Sequence, residues 1–284
     1  MPPINLSFIS NIAGKLIPKN FEPKISKEIE LEDLNITIKN LPNSFKGFKI
    51  CHISDIHNTD LFKQRPDILI SIIEKKPDII VISGDSIQGD KIVNALKTIT
   101  KLEAIVPPKN VFITTGNHEF FEEKKQKPKN RMFIQTLLKR GFSVLRNNFQ
   151  KFTISDEDIY IIGLDDPHGY KNETKYFKYY LDNIIDKIPQ DKVKILISHR
   201  PEKINLYAKY NIDLVFSGHT HGGQIKIPFL NRGLIAPHQG PLAKYIEGVY
   251  KIENTQEIIS PGIGNEIPIP RWNNPGKIYF VTLQ

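Results

Sequence analysis

The sequence predicts an α/β fold, and three observations carry that prediction. Short Val/Ile-rich runs recur and end abruptly in polar motifs, stretches with helical apolar spacing lie between them, and the last third turns to strands and loops. Continuous apolar runs of this length fit strands buried on both faces. The 284 residues are 25% charged and 39% hydrophobic, which excludes a largely disordered or collagen-like chain. A chain this long builds a sizeable core without disulfides, and its single cysteine, Cys51, has no intramolecular partner. A reducing, cytoplasmic setting is therefore expected. No apolar run approaches the ~20 residues that span a bilayer, and the first residues lack the basic start of a signal peptide.

In chain order, Leu34, Ile36 and Ile38 alternate with polar residues, as in a half-buried strand. Residues 48–53 run into Ser54-Asp55, and 78–82 into Ser83-Gly84-Asp85. Residues 111–113 lead to Gly116-Asn117-His118, 193–197 to Ser198-His199, and 214–216 to Ser217-Gly218-His219. Helices are predicted over 61–76, 89–103, 128–140, 173–188 and 201–209. The Tyr176, Tyr179, Tyr180, Ile184 and Ile185 stripe of the fourth is read as core packing. After residue 222, runs near 247–252, 257–260 and 277–283 read as strands between Pro and Gly breaks. With no repeat and no linker, the organisation expected is an N-terminal segment, 1–33, and one domain, 34–284. Phe8, Ile9, Ile12 and Leu16 fall on one face of an interfacial helix in the first segment.

The net charge of +8 is local. Segment 121–151 holds nine basic and two acidic residues, +7, so the rest of the chain carries only +1. A local patch speaks to a local partner rather than to a generally basic surface.

Each polar cluster follows a predicted strand, where α/β sheets place their ligands. They are Asp55-Ile56-His57, Gly84-Asp85, Gly116-Asn117-His118-Glu119, His199, and Gly218-His219-Thr220-His221. In an extended strand end, residues i and i+2 project to one side, so Asp55 with His57, and His219 with His221, are expected to form two-ligand clips. Imidazole, carboxylate and amide oxygen make a mixed set that suits Mn, Fe or Zn and lacks the thiolates of a structural zinc site. Taken singly, each cluster has an ordinary reading as a turn, a helix cap or a satisfied histidine. Taken together, they use five of the chain's eight histidines, all just after apolar runs.

In this ordered set, SDIH, SGD, GNHE, SHRP and SGHTHGGQ, the sequence resembles the calcineurin-like metallophosphoesterases over residues 45–284. GHTHGGQ and GLDDP (163–167) are similar to a bacterial subgroup that includes UDP-2,3-diacylglucosamine hydrolases of the lipid A pathway. The resemblance implies an α-β-β-α sandwich of two mixed sheets flanked by helices. It implies two divalent cations, Mn first and Zn or Fe otherwise, one on Asp55, His57, Asp85 and His221 and the other on Asp85, Asn117, His199 and His219. Asp85 would bridge, a metal-bound hydroxide would attack a phosphodiester or pyrophosphate, His118 would protonate the leaving oxygen, and Glu119 would orient its loop. The sequence departs from the subgroup near 259–264, where Ser260-Pro261-Gly262 stands in place of an Arg-Gly step.

Other residues read as plain structure: His52 as a core histidine, His168 and His238 as loop residues, and Asp165 and Asp166 as turn residues before Pro167. Arg271 and Trp272 are left open between ligand contact and structure. A non-catalytic scaffold of the same fold is the rival reading, and the intact ligand set argues against it. A nuclease ranks lower, since Phe120, Phe121, Phe133 and Phe142 suit packing as well as base stacking. The expected partners are a phosphate-ester substrate and an anionic membrane surface. Lys124, Lys125, Lys127, Lys129 and Arg131 beside the active-site motif read first as a solvated loop and helix start. The alternative, taken with the N-terminal helix, is a rim that gathers an anionic substrate or associates peripherally and salt-sensitively with the inner face of the membrane.

Overall fold

The computed structural model describes residues 24–26, 28–89, 92–119, 128–227, 229–230, 232–265 and 271–284. The expected N-terminal helix, and Phe120, Phe121, Lys124, Lys125 and Lys127, lie outside the described residues.

Two six-stranded mixed sheets stack face to face. In the first, β2 (Ile29–Ile36) lies parallel to β17 (Gly276–Leu283), and β17 runs antiparallel to β3 (Lys49–Ile53). From β3 the order continues in parallel through β4 (Ile79–Ser83), β5 (Val111–Thr114) and β6 (Ser143–Val144). In the second, β15 (Thr255–Ile259), β10 (Leu214–Ser217), β9 (Val193–Ser198) and β8 (Glu157–Leu164) are parallel. β14 (Gly248–Ile252) and β7 (Asn148–Ile154) close its edges antiparallel. Two short strands, β1 (Lys24–Ile25) and β16 (Gly264–Asn265), pair antiparallel. A smaller sheet joins β11 (Lys226–Ile227), β12 (Arg232–Ala236) and β13 (Gly240–Ala243).

Alternation along the strands explains the unbroken apolar runs, because both faces of each sheet are covered. Ile50, Ile79, Val81 and Phe112 of the first sheet meet Ile159, Ile195, Ile197 and Phe216 of the second in one buried layer. Their neighbours Cys51, Ile53, Ile80, Ile82 and Ile113 face the other way, onto helices. Those helices are α1 (Leu61–Gln64), α2 (Pro66–Lys75), α3 (Val93–Lys101) and α4 (Pro128–Lys139). On the far side, α5 (Glu173–Ile185) and α6 (Ile204–Lys209) cover Ile162, Leu164, Leu196 and Val215. The layers are thus α-β-β-α.

The helix expected over 61–76 breaks at Arg65 (φ −134°, ψ 72°). Pro66 disfavours helical backbone in the residue before it and starts α2 as its N1 residue. β2 begins at Ile29 and pairs with β17 along its whole length, so residues 29–33 belong to the sheet and the expected domain boundary at 34 falls inside a strand. The hairpin β7–β8 was absent from the sequence reading. β7 is an edge strand whose residues alternate between half-buried and exposed, so it shows no continuous apolar run.

Candidate metal centre

The clusters converge beyond the carboxyl ends of β3, β4, β5, β9 and β10. Three triads bring ligand atoms within 4.8 Å of one another: Asp55–His57–His221, His57–Asp85–His118 and Asp85–His199–His219. Asp85 belongs to two of them. Its Oδ2 lies 3.1 Å from His199 Nε2, 3.9 Å from His57 Nε2 and 4.0 Å from His118 Nε2. Asp55 Oδ1 lies 3.6 Å from His221 Nε2 and 3.7 Å from His57 Nε2, and those two ring nitrogens are 3.3 Å apart.

Of the expected clips, Asp55 with His57 shares a triad, whereas His219 and His221 fall in different triads. Asp55, His57, Asp85, His219 and His221 all have positive φ, between 44° and 72°, rather than the extended backbone expected. Left-handed backbone is uncommon outside Gly, with Asp, Asn and His the residues that tolerate it best. It is held here by close approach of neighbouring loops. A Cβ on Gly116 would fall onto the Asp85 carboxylate, and one on Gly218 onto Ser54 and Asp55.

Glu119 performs a separate task. Its buried carboxylate accepts the backbone N–H groups of Asp85 (2.9 Å), Ser86 (2.6 Å), Ile87 (3.0 Å) and Gly116 (2.8 Å). It therefore ties the loop after β4 to the loop after β5 without entering a triad. Burial, and next the Asp85 charge, raise its pKa to about 7 against the pull of those N–H donors.

The donor set fits divalent cations. His199 Nδ1 sits 2.7 Å from the Ser83 carbonyl, which can only accept, so Nδ1 carries the proton. Nε2, the atom left to bind a proton or a cation, lies beside the Asp85 carboxylate. Burial works against a charged His199, but Asp85 and Asp55 outweigh it and raise the pKa to about 10. The site thus attracts positive charge between these two atoms. Asn117 Oδ1 is also buried without a hydrogen-bond partner, as an amide ligand would be. Asp85 is buried, which by itself favours the neutral acid, yet His199 and His118 hold its pKa below the usual carboxylate range. His118 donates its backbone N–H to Asp85 Oδ1 (2.9 Å) while its side chain remains 20% exposed, so it is the member of its triad that reaches solvent.

Three residues beside the cluster stand outside the expected ligand set. His238 Nδ1 is 2.9 Å from His219 Nε2, and its own Nε2 is 3.6 Å from Glu173. Arg271 Nη2 lies 3.2 Å from His221 Nδ1 and donates to the Gly264 carbonyl. Arg200 is fully buried, donating through Nε and Nη2 to Asp166. An H-x-H pattern announces its own ligands, but partners brought in from 19 or 50 residues away leave no local spacing to read. Asp165 is held by Arg146 (2.9 and 3.0 Å) and Thr115 (2.7 Å). Neither Asp165, Asp166 nor His168 joins a triad among the described residues. His52 is a core residue, 2.8 Å from Ser83 Oγ and edge-on to Phe216.

A family model described as calcineurin-like phosphoesterase matches residues 48–223. The uncharacterised metallophosphoesterase YkuE of Bacillus subtilis is 31% identical over 240 residues, covering 82% of this chain and 79% of that protein. An uncharacterised metallophosphoesterase of Aquifex aeolicus is 29% identical over 265 residues, covering 90% and 92%. A third, Cj0846 of Campylobacter jejuni, is 30% identical over 264 residues, covering 91% of this chain and 64% of that protein.

Proposed function

We propose a dinuclear mechanism for this chain, which belongs to the calcineurin-like phosphoesterase family and is a metal-dependent phosphoric ester hydrolase. In this reading Asp55, His57, Asp85 and His221 hold one divalent ion, with Mn the first candidate. Asp85, Asn117, His199 and His219 hold the second. The observation that supports it best is the membership of Asp85 in two triads whose other members differ. When bound, such a pair supplies Lewis acidity that activates water and stabilises charge on phosphoryl oxygens.

The protein's own groups do the rest. Two carboxylates against two dications leave a net positive focus that draws in an anionic ester. His118, exposed on one side and fixed through its backbone N–H on the other, delivers a proton to the leaving oxygen as its bond to phosphorus breaks. Glu119 holds the backbone of both loops in register and touches no reacting atom. Arg271 and His238 steady the rings of His221 and His219. The substrate class we assign is a phosphodiester or pyrophosphate joined to a lipid, a nucleotide-sugar lipid in the finest form. Support comes from the GHTHGGQ and GLDDP motifs and from the surface described below.

The test is metal analysis after reconstitution with Mn, together with turnover of a monoester, a diester and a pyrophosphate. Two ions per chain and chelator-sensitive cleavage of the diester or pyrophosphate are expected. One ion per chain at full activity overturns the dinuclear reading.

A further inference from the structure

The small sheet β11–β12–β13 covers the ligand cluster with one face and leaves the other open. On the covered face Gly233 packs against Gly223, two residues past His221, and its lateral partner Ala243 is buried; Ala236, at the end of β12, is buried with Ala243 and Ile246. On the open face the register sets up an apolar row. Lys226 pairs with Gly233, which places Ile225 opposite Leu234; Gly233 pairs with Ala243, which places Leu234 opposite Leu242. Trp272 bridges to Ile225. Laterally paired residues share a face, so Trp272, Ile225, Leu234 and Leu242 form one line across the sheet. Trp272 is 63% exposed, Leu242 51% and Leu234 47%. In the turn between β11 and β12, Phe229 is fully exposed with φ at 67°, a conformation that costs a bulky residue energy and points to a use.

The charge around the row says what covers it. Residues 224–246 contain no Asp or Glu but include Lys226, Arg232 and Lys244. Lys226 pairs with Glu247. Arg232 is exposed, stands two residues from Leu234 on the open face and donates to the Leu242 carbonyl, and the exposed Lys244 follows directly after β13. A second copy of the chain would set these cations against their own kind. An anionic bilayer meets both demands, since apolar side chains enter the acyl boundary while cations meet headgroup phosphates, and Trp favours that interface.

We infer that the open face of this sheet docks on an anionic phospholipid bilayer, holding the metal centre within reach of phosphoesters carried by lipids. For what is cleaved, the inference rests on the lipid-linked reading above; for the docking it rests on the sheet alone. The test is co-sedimentation of the full chain with phosphatidylcholine vesicles, with and without phosphatidylglycerol. The protein is compared with a Phe229→Ser/Leu234→Ser/Leu242→Ser variant and an Arg232→Gln/Lys244→Gln variant. Thermal melts and Mn-dependent cleavage of a water-soluble diester, unchanged in both variants, show that fold and site are intact. Binding by the wild type is expected only with phosphatidylglycerol. It should fall at least ~10-fold in the apolar variant and ~25-fold in the charge variant, a factor of about five per cation. Docking is overturned if the wild type fails to sediment with the anionic vesicles, or if both variants sediment as it does. It is also overturned if the apolar variant abolishes a concentration-dependent dimer while vesicle binding is absent. Vesicle binding without cleavage of a lipid-linked pyrophosphate leaves the docking in place and removes the substrate reading alone.

Discussion

Two loops of this molecule look alike in sequence and behave differently in space. The loop after β3 carries Asp55 and His57; the loop after β8 carries Asp165, Asp166 and His168. Both follow buried strands, and both offer carboxylates with a histidine nearby. Only the first enters the candidate metal centre. In the second, each carboxylate ends on a guanidinium, Asp165 on Arg146 and Asp166 on Arg200. Asp55 instead accepts a hydroxyl from Ser54 (2.6 Å) and the backbone N–H of His219 (3.2 Å), and its charge faces imidazoles. A carboxylate already neutralised by arginine has little left for a cation, whereas one surrounded by imidazoles has nearly its full charge to give. What separates a ligand loop from a structural one here is the identity of the partner, which local spacing does not encode.

The widest separation between the loops should come from paired substitutions. Asp85→Asn is expected to lose both ions and essentially all turnover, measured by metal analysis and diester cleavage. Asp166→Asn should keep two ions and wild-type turnover per folded molecule while losing up to about 3–5 kcal/mol of stability, since the buried Arg200 loses its two-point carboxylate and keeps only Glu173 at 3.5 Å and Glu202 at 4.0 Å. Loss of metal in Asp166→Asn would erase the distinction.

His118→Asn sharpens it within the site. The ions should remain while turnover drops ~10²–10⁴-fold, and the deficit should shrink for esters whose leaving groups need no proton. Equal slowing on poor and excellent leaving groups would remove the proton-donor role.

A smaller effect is expected of His238→Asn. A partner hydrogen-bonded to a ligand typically changes metal affinity ~10–100-fold, so titration with Mn should show weaker binding at the His219 ion. An unchanged titration would make His238 an ordinary loop residue.

The mildest case is a carboxylate with neither arginine nor metal. Glu257 on β15 is buried, and burial holds its carboxyl well above the ordinary value of 4.5. A group whose folded pKa is raised gives its full contribution below the unfolded value and loses it as pH rises. Wild-type stability should therefore fall relative to Glu257→Gln as pH rises from 5 to 8. Urea midpoints for both proteins at the two pH values check it, and parallel curves would contradict it.

Much of this architecture was legible because it depends on local pattern. The runs before Asp55, Asp85, Asn117, His199 and His219 each became a central strand, since strands covered on both faces cannot avoid continuous apolar residues. Helix α4 was expected over 128–140 and spans Pro128–Lys139. The edge hairpin β7–β8 was missed because partial exposure dilutes the pattern, and the break at Arg65 because a proline inside a periodic stretch reads as one helix. The positive φ of five candidate ligand residues was hidden for another reason. It is imposed by loops arriving from elsewhere in the chain, and the residues that accept it, Asp and His, were already accounted for as ligands.

The four N–H groups gathered by Glu119 bear on how the protein comes to hold its ions. They fasten two loops together from inside the folded chain, so the socket is assembled by folding rather than by the arrival of its contents. If the site holds ions as proposed, they could leave to a competing chelator and return without the rim being rebuilt, and supply and exchange would then decide which metal fills it.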